Sequence, residues 1–136
     1  MKLRHVRIVT RDVPGLARFY QEITGIKPEG SSDYLEFRTS EGAFAISSQQ
    51  KMEEHGASAT TPCTNLSMVL DFEVEDVDKE YARISQVVRA FVLGPKTQPW
   101  GNRSMLFRDP DGNLVNFFSP RRSTRDAREL ENARVR

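Results

Sequence analysis

The chain has 136 residues, 38% of them apolar and 29% charged, with a formal net charge of +1. That length suits one domain, or two small halves that share a core, and the near-balance of charge argues against a dedicated nucleic-acid binder, which is usually basic overall. No apolar run approaches the ~20 residues that span a bilayer. Met1 to Val13 holds no unbroken apolar stretch ahead of a small-residue cleavage site, and the single cysteine, Cys63, cannot form an internal disulfide. These features predict a cytoplasmic protein with no membrane and no nucleic-acid partner.

In chain order, Leu3 to Thr10 alternates as a strand, with Leu3, His5, Arg7 and Val9 on one side and Arg4, Val6, Ile8 and Thr10 on the other. Asp12 is placed to cap a helix, since its carboxylate can accept orphan backbone N–H groups, and Pro14 is tolerated in the first turn. Leu16, Phe19, Tyr20 and Ile23 recur at helical spacing, and Gly25 can end the helix in a left-handed conformation. Three short strands are expected next, over Ile26 to Glu29, Tyr34 to Arg38 and Gly42 to Ser47. Gln49 to Asn65 reads as a connection, with one helical turn at Lys51 to His55 and loop chemistry from Gly56 to Thr64.

The pattern then restarts. Leu66 to Glu73 is a strand, Val74 to Val77 leads into a helix, and Tyr81, Ile84, Val87 and Val88 supply its apolar stripe. Strands follow at Phe91 to Leu93, Arg103 to Arg108 and Leu114 to Ser119. The last two are joined by Asp109-Pro110-Asp111-Gly112-Asn113, where Pro presets φ and Gly takes the left-handed position. Asp12-Val13 and Asp76-Val77 hold equivalent strand-to-helix junctions, so a β-α-β-β-β unit is used twice. A single α+β sheet with two helices would fit the same pattern. The expected organisation is one domain over 1–119, with module one at 1–48, a linker at 49–65 and module two at 66–119. A tail over 120–136 follows, basic because it holds six Arg against three acidic residues.

Four segments carry a family resemblance. They are His5 to Val13 with Phe19-Tyr20 and Gly25; Asp71 to Asp78 with Tyr81-Ala82; Pro99-Trp100-Gly101-Asn102-Arg103; and Phe107 to Asn113. Together they resemble the vicinal oxygen chelate superfamily, the glyoxalase/bleomycin-resistance/dioxygenase proteins, over about residues 3 to 119. The resemblance implies an α+β fold of two βαβββ modules whose mixed sheets curl into a cup around a cleft. It also implies a homodimer, often with clefts built across the subunit interface. Family enzymes hold a divalent metal through a His on the first strand, a carboxylate ending module one, a His opening module two and a Glu on the last strand. These positions fall here on His5, on Ala45 (or Ile46, one residue along), on Val69 and on Asn116. One firm ligand in four implies no metal and no cofactor, because such sites need several N or O donors converging on one point.

The same register sends His5 and Asn116 toward the cleft, where both can hydrogen-bond a polar group. Trp100, opening the penultimate strand, offers an apolar face and one donor, and Arg103 pairs with an anionic ligand, stays solvated on its strand, or partners Asp109 or Asp111. Tyr34 and Phe118 complete the candidate ligand-binding set of His5, Tyr34, Trp100, Arg103, Asn116 and Phe118. His55 reads as a loop histidine and Cys63 as a plain thiol. The expectation is a small-molecule-binding protein that takes a planar or amphipathic organic compound. The rivals are a lyase, isomerase or dioxygenase of the same superfamily, and a non-catalytic dimeric interaction module.

Overall fold

A computed structural model of the chain describes residues 1–56 and 59–120. The expected basic tail therefore lies, apart from Pro120, outside the described residues. Module one comprises β1 (Val6–Thr10), α1 (Val13–Thr24), β2 (Glu29–Gly30), β3 (Tyr34–Arg38) and β4 (Ala43–Ser48). A short helix α2 (Gln49–Glu53) opens the connection to module two, which runs β5 (Val69–Glu73), α3 (Val77–Ile84), β6 (Phe91–Thr97), β7 (Arg103–Arg108) and β8 (Leu114–Ser119). Each module builds one four-stranded mixed sheet, in the order β1-β4-β3-β2 and β5-β8-β7-β6. The first strand pairs parallel with the last, and the remaining pairs are antiparallel. The fold is α+β, a βαβββ unit used twice.

Local chemistry sets the junctions. Asp12 accepts from Gly15 N at 3.0 Å and Asp76 from Lys79 N at 3.1 Å, so both helices start on an Asp cap. Gly25 ends α1 in the left-handed region at φ 72°. Other boundaries depend on partners. β1 starts at Val6, not Leu3, because its sole ladder partner β4 begins at Ala43 and Val6 pairs with Phe44. β5 starts at Val69, not Leu66, because Asn65 Oδ1 accepts from Ser67 N and Met68 N and holds a turn there. The expected strand Ile26 to Glu29 reduces to Glu29–Gly30, all that pairs with β3. The turn expected at Lys51 to His55 sits two residues earlier, where Ser48 Oγ caps it by accepting from Lys51 N. α3 ends at Ile84, so Val87 and Val88 lie beyond it, with both their N–H groups on Ile84 O. β6 runs on to Thr97 through register shifts between Phe91 and Lys96, around Gly94-Pro95, as an edge strand tolerates.

The two modules share one core. Leu16, Phe19, Tyr20 and Ile23 of α1 join Phe37, Phe44 and Ile46 of sheet one, Met105, Phe107, Val115 and Phe117 of sheet two, and Val77 and Ile84 of α3. Aromatic rings carry the contact across the modules. Phe44 meets Phe72 edge-on at 5.9 Å, and Phe19 lies 6.5 Å from Phe107. Arg83 of α3 donates to Glu22 O and Ile23 O, two of the last free carbonyls of α1, and is steadied by Glu80. Because strand side chains alternate, the residues between the core positions lie on the opposite, outward face of each sheet.

Candidate functional site

The outward face of sheet one can be laid out from its register. One row is Ala43 and Arg38, the next Arg7, Ala45 and Glu36, and the third Val9, Ser47 and Tyr34, with His5 just ahead of β1. The middle strand contributes only the small side chains Ala43, Ala45 and Ser47, which lets longer groups from β1 and β3 reach across it. His5 and Tyr34 do so. Tyr34 Oη lies 3.1 Å from His5 Nε2, with the rings edge-on at 6.3 Å. With its proton on Nδ1, His5 accepts from the Tyr34 hydroxyl; with a proton on Nε2 it donates, and the hydroxyl is free to donate elsewhere. Arg7 turns toward α2 and donates to Met52 Sδ at 3.4 Å. Arg38 pairs with Glu36 at 3.1 Å. A cleft of about 610 Å³ opens at His5, Glu36 and Arg38 against the turn at residues 39–43.

Sheet two's outward face carries Val69, Asp71 and Glu73 on β5 beside Leu114, Asn116 and Phe118 on β8. Asn116 Nδ2 donates to Asp71 Oδ1 at 2.9 Å, while Asn116 Oδ1 is buried without a hydrogen-bond partner among the described residues. Phe118 lines a second cleft of about 570 Å³ with Asp71, Phe72 and Glu73, and the turn at residues 39–43 lines this cleft too.

Trp100 and Arg103 sit elsewhere, at the β6–β7 end. Trp100 is 64% exposed in the turn before β7 and does not open that strand. Arg103 pairs with neither Asp109 nor Asp111. Its Nε and Nη2 donate to Asp78 Oδ2 and Oδ1 at 2.6 and 2.8 Å, and its Nη1 donates to Thr97 Oγ1. That fork holds the Asp78 carboxyl below its usual range. Asp109 is instead enclosed, accepting from Tyr20 Oη, Asp111 N, Asn113 N and Asn113 Nδ2. The predicted set thus separates into three places: His5 with Tyr34, Asn116 with Phe118, and Trp100 with Arg103. His55 is exposed in the turn after α2. Cys63 is exposed, and its thiol is held above the ordinary range by desolvation first and Asp111 second, which does not favour a nucleophile. Sequence reasoning passed over Arg7, Glu36, Ser47 and Asp71. For Arg7 the signal was present, since alternation sets it on the His5 side of β1.

The sequence model of the Glyoxalase/Bleomycin resistance protein/Dioxygenase superfamily matches residues 2–117. The chain belongs to this superfamily. It is 27% identical over 125 residues to the protein YraH of Bacillus subtilis, covering 87% of this chain and 98% of that one. A solved protein of unknown function from Agrobacterium tumefaciens is similar at 28% identity and a TM-score of 0.76, with 88% and 94% of the two chains covered. A family enzyme from Burkholderia phytofirmans superposes equally well, at a TM-score of 0.76, over 88% of this chain and 98% of that one; at 20% identity it speaks for the fold alone.

The metal that this family implies can be tested against the donors present. Ala45 lies on the His5 face, between Arg7 and Glu36, whereas Ile46 points into the core. Val69 lies on the Asn116 face. Neither side chain has a lone pair, so only His5 and the amide of Asn116 could donate at the four family positions. That donor set does not fit a tightly held transition metal. Among the described residues no three His, Cys, Asp or Glu side chains converge as a metal site, and no helix is long and apolar enough to cross a membrane.

Proposed function

We propose that the chain binds a planar or amphipathic organic compound on the outward faces of its sheets, without a resident metal. One observation carries this reading: Ala45 stands in the middle row of the His5 face, where a family enzyme would present a carboxylate. Binding needs no Lewis acid, and pockets for such compounds combine apolar walls with a few placed polar groups. The cleft at His5, Glu36 and Arg38 supplies polar groups, and the cleft at Phe72 and Phe118 supplies aromatic walls.

The same reading takes the working form to be a homodimer in a cytoplasmic setting. β1 and β5 are the edges of their sheets, and Leu66, Met68 and Val69 are exposed beside β5. A dimer measured by light scattering supports this arrangement, and a monomer at micromolar concentration refutes it.

The test of binding is a thermal-shift screen of planar and amphipathic compounds on purified protein, since a ligand for the folded state raises Tm by mass action. Metal analysis runs beside it. One tightly held transition metal per chain would overturn the reading. A second reading, a metal-independent acid–base enzyme, is favoured by the Tyr34–His5 hydrogen bond alone, and turnover abolished by His5→Ala would establish it.

A further inference from the structure

The cleft of about 570 Å³ between β5 and the turn at residues 39–43 carries charge of one sign only. Its walls are largely apolar, with Leu70, Phe72 and Phe118 among them, and its size suits a small organic molecule. Its charged lining residues are Glu41 from module one and Asp71 and Glu73 from module two, and no lysine, arginine or histidine lines it. None of these three carboxylates takes part in an ion pair among the described residues. Asp71 accepts from the neutral amide of Asn116 through Oδ1. The strand register sets an aromatic ring among these charges. Glu73 is the cross-strand neighbour of Phe118, and Asp71, two residues earlier on β5, shares their face. Phe72 meets the rings of Phe44 and Phe117, whereas Phe118 has no aromatic neighbour among the described residues.

From this arrangement we infer that the cleft takes an organic cation, an arylalkyl amine. The apolar walls at Leu70 and Phe72 receive its ring, by burial of apolar area. Its ammonium group sits by Phe118, drawn to the negative face of that ring, with the Glu73 and Asp71 carboxylates as counter-ions. Glu41 adds a third negative charge from the module-one wall. A neutral analogue of the same shape forgoes this attraction, and an organic anion meets three like charges. The carboxylates are exposed, so the preference is moderate and falls as salt rises. The inference rests on the proposed small-molecule binding and names the charge class of its ligand.

The experiment titrates the intact chain with 3-phenylpropylamine, 3-phenylpropan-1-ol and 3-phenylpropionate, three compounds of matched shape, and follows binding by NMR. The amine should bind about tenfold more tightly than the alcohol, the combined range of a cation–π contact and exposed ion pairs, and the acid most weakly. Asp71→Asn with Glu73→Gln should remove most of that preference while leaving alcohol binding in place, since both side chains are exposed and the substitutions keep their shape. Phe118→Leu should weaken the amine more than the alcohol. Glu75→Gln removes an exposed charge that does not line this cleft and should change nothing, which separates the site from the general field of the surface. Equal binding of amine and alcohol, a preference that survives the double variant, or an equal loss in Glu75→Gln overturns the cation site and leaves the binding reading standing. Binding of none of the three at millimolar concentration also overturns it, and the wider binding reading then stands or falls on the thermal-shift screen.

Discussion

Tyr20 on α1 donates its hydroxyl to Asp109 Oδ2 on the β7–β8 turn at 2.6 Å, across 89 positions of chain. The bond is buried, with Tyr20 fully enclosed and Asp109 nearly so. It ties the helix of module one to the hairpin of module two. The same carboxylate accepts from Asp111 N, Asn113 N and Asn113 Nδ2, and Asn65 Nδ2 donates to Asn113 Oδ1 from the linker. One side chain therefore closes a turn and joins the two modules, so the halves of the repeat should unfold together.

Tyr20→Phe removes the donor and leaves the packing. Chemical denaturation should show a loss of about 1–2 kcal/mol, since Asp109 keeps its three other donors. Burial first, and the Asp109 carboxylate second, push the Tyr20 phenol far above its ordinary value of 10.0. The folded state thus holds this proton where the unfolded chain releases it. The stabilisation is present below pH ~10 and declines as pH rises above it. The fall in Tm between pH 9 and pH 11 should be shallower in Tyr20→Phe than in the parent; equal slopes would refute the assignment.

Phe107 touches Phe19, Phe91 and Phe117 through its ring and is fully buried. It is one of the places where α1 rests on sheet two. Phe107→Ala should cost about 3–5 kcal/mol, by lost transfer energy and the cavity left behind. Urea unfolding followed by far-UV circular dichroism measures it. A single cooperative transition in the parent protein, lowered as a whole in the variant, is the expected form.

Gly30 has φ 142°, and a Cβ there would lie 2.1 Å from Tyr34 O. Side-chain-bearing residues rarely adopt that backbone, and the obstructing atom is main chain, which cannot swing aside. Gly30→Ala should cost about 1–3 kcal/mol. It should also disturb the Ser31 N to Tyr34 O turn that precedes β3. Because Tyr34 starts β3, shifted His5 and Tyr34 side-chain resonances in NMR spectra are the accompanying signature.

Asp78 and Arg103 form a two-pronged but exposed pair. Exposed pairs contribute little net stability, being screened and costly in side-chain entropy. Asp78→Asn should change stability by less than about 1 kcal/mol, and added salt should shrink that difference further. A larger loss would mean that the pair orders the start of α3.

Much of the architecture is legible in local sequence, and the reasons are local. Asp12 and Asp76 cap their helices through hydrogen bonds that span three residues, and the 109–113 turn is closed by Asp109 bonding two and four residues ahead. Tyr34–Arg38, Arg103–Arg108 and Leu114–Ser119 alternate cleanly and are bounded by turn chemistry, and they form strands at those limits. The strand starts at Val6 and Val69 and the full reach of β6 were not legible, because a strand extends as far as its neighbour in the sheet allows.

The candidate site divides along the same line. By itself the sequence determined the residue types on each strand: His5 and Arg7 share one side of β1, and Ala45 and Val69 bring no lone pair to the positions where the family places its ligands. Tertiary structure alone decided what each polar group meets. It laid His5 against Tyr34, sent Arg103 to Asp78, enclosed Asp109 under Tyr20 and left Arg7 on a thioether. Hydrogen bonds within a few residues form wherever the local backbone permits. Pairs separated by 25 to 89 residues depend on which sheet faces the fold turns toward each other, and that follows from burying one shared core rather than from any single segment.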